Sequence, residues 1–545
     1  MVNEKDFKET FGKLNHEQLL DLAFNLQKEV DILQENNSSL KRSLYGRKRE
    51  NVSVDQLSLF NEAEVTDEIS NEEEKAEPEI EPIKSSKKKR CKNRKIKEIK
   101  VKTIDIKMDT PICELCGAPL SEIKPKIIER LVYIPAELYI EKTIIHQYTC
   151  HKCNEAEETM YVFQNEEYKE PKPLIKGSMA TSSFVSKIAY DKFVMCVPYY
   201  RQEKELNDNG IPMSRQNICN YVMKCGEKYL KPVFEKMEKD IRSSEIVNMD
   251  ETTLLCLEER KDGRSSNSYE WMCITNAYEK KQMALYYYKK DRGHGNVAEI
   301  LGDNYQGIIQ SDGYQAYGNY ISAKGHAGCL SHARRKFEDA LKSNEALYKK
   351  ITNKGLSTSE KEKILEDNPS FKHAFWFLNQ YDKVLKIEKA AKNSHKSIQE
   401  LESIRKEKEE SILDALHQKA KELEDKVLPS GKLYKAIQYT LNQWNALIYY
   451  LQDGRIPATN NIAEREGIKP FVMARKNFLF ADTRRGAEIS SIWFSLIISA
   501  RMNKLNIEKY LTYVLDELSA AEEITDEIID KCLPYSTDIP SNIKL

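Results

Sequence analysis

The sequence predicts a multidomain α/β protein, and three observations carry that prediction. Apolar runs of strand length recur between residues 245 and 312 and are separated by turn residues. Long helical stretches lie on both sides of them, at 178–228 and 338–450. A heptad repeat and two Cys-x-x-Cys knuckles precede everything else, so the chain is assembled from parts with different kinds of core.

At 545 residues, 63.3 kDa and 40% hydrophobic content, the chain has material for three or four domains. Its 85 basic and 86 acidic residues nearly cancel, but they are unevenly placed. Residues 67–81 carry eight acids, and residues 84–102 carry eleven Lys or Arg against Glu98 alone. A block such as Lys87-Lys88-Lys89-Arg90 is either a solvated linker or a means of neutralising backbone phosphates. No apolar stretch is long enough to span a bilayer, and Glu4, Asp6 and Glu9 do not suit a secretory leader, which points to the cytoplasm. Twelve cysteines, only four of them clustered, do not form a disulfide framework.

Within residues 1–50, Leu19, Leu26, Leu33 and Leu40 recur every seven, interleaved with Ala23, Val30, Asn37 and Leu44. This is a coiled-coil seam, with leucine at d and Asn37 fixing register, and it predicts a parallel two-stranded coil and so a homodimer or higher oligomer. An amphipathic helix packed on its own protein is the alternative. Residues 51–105 are rich in Glu, Lys, Ser and Pro and read as a charged, disordered linker.

In the segment 106–170, Cys113 and Cys116 pair with Cys150 and Cys153 across thirty-three residues. Two such knuckles complete a tetrahedral thiolate site for one structural zinc ion, with no coordination position left for water. Leu131 to Pro135 and Tyr139 to His146 read as strands, giving a zinc-ribbon-like hairpin unit. His146 and His151 are read as neighbours of the site rather than ligands.

Residues 171–240 are helical. Tyr200 to Leu206, then Gly210, Ser214 and a helix from Arg215 to Lys224 fit a helix–turn–helix. Gly210 supplies the turn, Ser214 caps the second helix, and Arg215, Gln216 and Asn220 are its candidate base-reading face. A plain helical hairpin would show the same pattern.

Residues 241–342 and 453–520 read as one interrupted catalytic core. Glu245 to Asp250, Glu270 to Thr275, Met283 to Tyr288 and Gly307 to Asp312 are four strands, with a helix from Gly295 to Leu301 before the last. Three close strands, a helix and a further strand suggest a ribonuclease-H-like sheet. Asp250 and Asp312 end apolar runs, and Glu464 stands where a polar loop becomes a helix, with Glu466 its competitor. Carboxylates gathered from strand and helix ends repel one another unless divalent cations fill the pocket, which suits phosphodiester chemistry. Residues 343–452 form a helical insertion between Asp312 and Glu464, and 521–545 a C-terminal tail.

In this order the blocks resemble the insertion-sequence-66 family, bacterial transposases of the DDE type, over nearly the whole chain. The resemblance rests on Leu44 to Lys48, Leu131 to Ala136, the Asp250-Glu251-Thr252 string, Ser311 to Tyr317, Gly328 to Phe337 and Ala474 to Phe480. It implies that Asp250, Asp312 and Glu464 form a catalytic triad binding two magnesium ions, with DNA as substrate at element ends and at the target. It also implies accessory proteins of the same element as partners. Thr459, Lys469 and Phe478 depart from the family pattern, which usually has Asp, Arg and Trp there.

Cys329 and His332, spaced C-x-x-H, resemble a signature that follows the second aspartate in several transposase groups. His332 is expected near the scissile phosphate, with Arg334, Arg335 and Lys336 on DNA backbone, and Arg475 and Lys476 are expected to contact phosphate in the same way. A helix start with a buried cysteine and a solvated basic face is the alternative.

Overall fold

The structure, a computed structural model, describes residues 101–108, 112–113, 117–134, 137–149, 162–165, 172–261, 267–320, 322–352, 356–427, 429 and 431–545. The heptad segment, the linker up to residue 100, and Cys116, Cys150, His151 and Cys153 lie outside the described residues. The described chain divides into two compact units, one of residues 306–460 and one of the residues before 306 and after 460.

The chain enters the larger unit through β1 (Val101–Ile106), β2 (Ser121–Ile134), β3 (Glu137–Thr149) and β4 (Val162–Phe163). β2 and β3 form an antiparallel hairpin whose register slips between Ile123 and Lys126. Pro125, which has no N–H to give the ladder, falls at the slip. β1 runs parallel to β3, so the expected linker ends at Val101 rather than at residue 105. Five of the six β1 residues are exposed, and the strand is held by backbone pairing to β3, which composition does not reveal.

Four helices follow: α1 (Ser182–Phe193), α2 (Tyr199–Asp208), α3 (Arg215–Cys225) and α4 (Lys231–Ile241). Gly210 closes α2 at φ 81°, and the Ile211 N–H reaches the Leu206 carbonyl at 2.8 Å. Ser214 caps α3 by accepting from the Asn217 N–H. The Asn207 amide ties the two together by donating to the Met213 carbonyl at 3.0 Å.

Next comes an antiparallel meander of β5 (Ile246–Cys256), β6 (Ser268–Thr275) and β7 (Ala284–Lys289), then helix α5 (Gly295–Leu301). The smaller unit opens with the parallel strands β8 (Ile308–Gln310) and β9 (Gly325–Ala327). It continues through α6 (Leu330–Lys342), α7 (Pro369–Asn393), α8 (Glu410–Glu424) and α9 (Lys432–Asn442), with shorter helices between them. The stretch 384–426, free of Gly and Pro, is not one helix. It breaks at His395, where φ is 48°, and restarts at a Ser397–Glu400 capping box.

Arg405 is fully buried in this unit. It forms an ion pair with Glu388 and donates to the carbonyls of Tyr450, Asp453 and Ile456 at 2.7, 3.1 and 2.9 Å. Every guanidinium donor direction is thereby spent, three on the loop that closes the unit and two on Glu388.

Back in the larger unit, a π-turn (Ala463–Ile468) leads into α10 (Lys469–Phe478), β10 (Phe480–Ala481), α11 (Arg484–Met502), α12 (Ile507–Ala520) and α13 (Asp526–Cys532). β10 pairs in parallel with the end of β5. Along β7 the N–H groups of Ala284 and Tyr286 donate to Ser499 and Ser495 of α11, at 2.9 and 2.8 Å, so the helix hydroxyls take the place of another strand. The C-terminal tail, 521–545, packs on the unit: Ile529, Cys532, Leu533, Ile539 and Ile543 are buried, and the Tyr510 hydroxyl donates to the Cys532 carbonyl.

Glu270 on β6 is fully buried beside the Ser491 hydroxyl, and burial pushes its carboxyl up to about 8. The folded state therefore favours the protonated acid. Its stability contribution is complete below the ordinary value of 4.5 and is lost as pH rises through 8. Glu270→Gln should flatten this dependence, leaving the variant on the order of a few kcal/mol more stable than wild type above pH 8. Melting curves from pH 5 to 9 check the difference in slope.

Candidate active site and DNA-facing residues

Asp250 lies at the middle of β5, half-buried, and accepts the Glu251 N–H at 2.9 Å. Its cross-strand neighbour on β6 is Met272, whose neighbour on β7 is Tyr286. Directly opposed residues point to one face of a sheet, so these three share a face. The adjacent Glu251 turns to the other face, where it forms an ion pair with Arg292.

The π-turn seats itself on the Asp250 face. The Tyr286 hydroxyl donates to the Gly467 carbonyl at 2.6 Å, and a Cβ on Gly467 would fall 2.4 Å from the Met272 methyl. Only glycine permits that approach. Three residues earlier in the same turn, Glu464 is 5% exposed, whereas Glu466 is exposed. Of the two competing glutamates, Glu464 is therefore the one turned into the fold. A π-turn adds a residue to the helical repeat and is frequent at functional sites, but neither spacing nor propensity announces it in a sequence.

In the smaller unit, Asp312 follows β8 and accepts the Tyr314 N–H at 2.9 Å. The next residue, Gly313, lies under Tyr439 of α9: a Cβ there would meet the phenol oxygen at 2.5 Å. Gln443 donates to the Gly313 carbonyl at 3.4 Å, and the Lys336 ammonium stands 5.8 Å from the Tyr439 ring. The helical insertion thus supports the Asp312 turn directly, a role its sequence did not suggest. Before the turn, Ser311 shares a hydrogen bond with His326, which burial holds neutral at about 4.

Cys329 and His332 offer ligand atoms within 4.8 Å of each other. Cys329 also accepts the Asn460 N–H at 3.2 Å, while Leu330 donates to the Ala458 carbonyl and Gln310 to that of Pro457. These bonds stitch the segment around Thr459 to β8 and α6. Burial first, then Arg335 and Lys336, push His332 down to about 3, so it is a neutral imidazole at physiological pH.

The basic residues separate into two groups. Arg334 is held by Glu338 and Asp382 at 2.8 and 2.5 Å, and Arg335 is buried, whereas Lys336 is exposed. Arg475 is buried and donates to the Thr253 carbonyl and hydroxyl, which pins α10 to β5, whereas Lys476 is exposed. Arg215, Gln216 and Asn220 all lie on the exposed side of α3. Of the four cysteines expected to bind zinc, only Cys113 falls among the described residues. It is buried against Leu120 and Tyr148, its carbonyl accepts the Gly117 N–H at 2.8 Å, and Gly117 has φ 70°. That tight turn is what a knuckle presenting two thiolates to one ion requires.

A capped helix–turn–helix with a polar exposed face is of a kind that suits contact with DNA. The description "Transposase IS66 family" matches residues 177–489, more than half of the chain, and the chain belongs to that family. The "zinc-finger binding domain of transposase IS66" matches 110–154, and "Transposase C of IS166 homeodomain" matches 32–99. Two uncharacterised proteins of Sinorhizobium fredii are similar. One, y4hP, is 26% identical over 75% of this chain and 70% of its own length. The other, y4jD, is 26% identical over 79% of each. No solved structure matches the chain significantly. No helix among the described residues is long and apolar enough to cross a membrane.

The two basic groups should respond differently to mutation. Lys476→Ala should weaken duplex binding and lower the salt slope by about one while leaving the melting temperature unchanged. Arg475→Ala should instead lower stability by about 1–3 kcal/mol, because Thr253 loses its partner in a buried setting. Anisotropy at several salt concentrations, read beside melting curves, separates the two effects.

Proposed function

We propose that the chain is an active transposase that binds the ends of its element and uses Asp250, Asp312 and Glu464 to cut and join DNA strands. The observation that carries this reading is the buried Glu464 on a glycine-seated turn over the sheet face of Asp250. The order of elements along the chain, an antiparallel meander, a helix and then a parallel strand pair, supports a ribonuclease-H-like core.

The proposed triad offers hard carboxylate oxygens alone, which suits magnesium rather than a softer ion. When bound, two such ions acidify the attacking water or 3′-hydroxyl and steady the oxygen that leaves. The chain's own residues do the positioning. Asp250 is fixed by its strand, Asp312 by its turn under Tyr439, and Glu464 by the contact of Gly467 with Met272. Lys336 and Lys476 are proposed to hold backbone phosphates, and Arg215, Gln216 and Asn220 to read the element end. The four cysteines hold one structural zinc ion, and the heptad segment pairs two copies so that two ends are handled together.

Purified protein incubated with labelled element ends and magnesium tests the reading. Wild type should nick and join, and Asp312→Ala, Asp250→Asn and Glu464→Gln should each bind the ends while losing at least about 100-fold in cleavage. Binding without cleavage by wild type would instead identify a DNA-binding regulator, and cleavage without joining a nuclease. Equal processing by wild type and Asp312→Ala would sink the proposal.

A further inference from the structure

Helix α10 ends at Phe478, and the next residue has a conformation that its type does not favour. Leu479 has φ 66° and ψ −49° and is 63% exposed. This is the strained three-residue turn region, unfavourable for any side chain with a Cβ. Met473 and Phe480 are also exposed, at 44% and 42%, so three large apolar side chains meet solvent within eight residues.

The footing on both sides is fixed. The Leu479 N–H donates to the Arg475 carbonyl at 2.7 Å, and Arg475 is itself tied to Thr253. Phe478 packs against Phe471, with the Lys192 ammonium 5.2 Å from its ring. Beyond the tip, Phe480 and Ala481 pair with Leu255 and Cys256, and the Asp482 carbonyl accepts the Glu258 N–H at 3.1 Å. A strained, solvent-facing leucine on a rigid base brings the fold little, which leaves an external occupant as the reason for it.

Charge identifies the occupant. Residues 465–485 contain six basic residues against Glu466 and Asp482, but Arg475 is buried on Thr253, Arg484 pairs with Glu259 and Arg485 with Glu227, so the charge next to the tip comes from Lys476. Exposed Lys476 and Asn477 stand in the last turn of α10, directly before the tip. An exposed apolar point directly after an exposed lysine and asparagine fits a duplex whose phosphate is held while one base step is parted.

We propose that Leu479 is a wedge that enters between adjacent base pairs near the cleavage point of the element end and unstacks them. The wedge rests on the transposase reading, since it needs a bound duplex. It would open the end so that a single strand can reach the carboxylates.

Full-length protein and an end duplex carrying 2-aminopurine at successive positions provide the test. Wild type should raise the fluorescence several-fold at one or two neighbouring positions. Leu479→Ala should bind with comparable affinity by anisotropy and raise none, and Leu479→Met should restore the rise. Leu479→Gly should also raise none, yet melt a few degrees higher than wild type because the strain is gone. Binding by wild type with no fluorescence change at any position would overturn the wedge and leave the transposase reading standing. The same rise from Leu479→Ala, or a lower melting temperature for Leu479→Gly, would also overturn it. Absence of binding to any duplex would remove both readings.

Discussion

The candidate site depends above all on the contact between Gly467 and Met272. A sheet strand can aim Asp250 at one face, but a second carboxylate reaches that face only if another segment lies close against it. The missing side chain at Gly467 lets backbone rest on the Met272 thioether, and the Tyr286 hydroxyl fastens the same residue through its carbonyl. Both contacts sit in the cross-strand row that begins with Asp250. The core on this face then closes around them, with Phe471 and Phe494 packed on Tyr286 and the serines of α11 satisfying the edge of β7. Enlarging either Gly467 or Met272 would strain a packed interior that has no room to relax.

The smaller unit solves a related problem with polar groups. Its closing loop, residues 450–460, turns backbone carbonyls toward a buried guanidinium. Arg405 takes three of them while Glu388 balances its charge, and the Tyr450 hydroxyl donates to Glu409 at 2.6 Å. A buried ion pair of this kind gains little net stability over apolar packing, but removing one partner leaves an uncompensated charge. Its value here is definition: the loop has one conformation, and Gln310, Cys329 and Leu330 receive its far end. The helical insertion is therefore a support for the Asp312 turn and for this loop, in addition to any contact it makes with DNA.

Elements whose signal is local were legible in the sequence. The helix expected at Gly295 to Leu301 appears with those bounds, and the cap at Ser214 and turn at Gly210 appear where their chemistry requires them. The three meander strands differ from expectation only at their ends. Features decided by distant partners were not legible. β1, mostly exposed, is held by pairing to β3, and 521–545 packs where Tyr510 and its neighbours cover it. Basic residues read alike in a sequence, yet Arg334 and Arg475 are engaged by Asp382 and Thr253 while Lys336 and Lys476 face solvent. Glu464 and Glu466 are likewise equivalent until the π-turn buries one of them.

The most direct measurement of the central claim is affinity cleavage by a metal in place of magnesium. Ferrous iron with ascorbate and peroxide cuts a polypeptide close to where the ion is held, and the fragments can be sized and sequenced. The account predicts cuts near residues 250, 312 and 464, suppressed together by excess magnesium and by Asp250→Asn. Cuts confined to other segments, or cuts near these three positions that magnesium does not suppress, would contradict it.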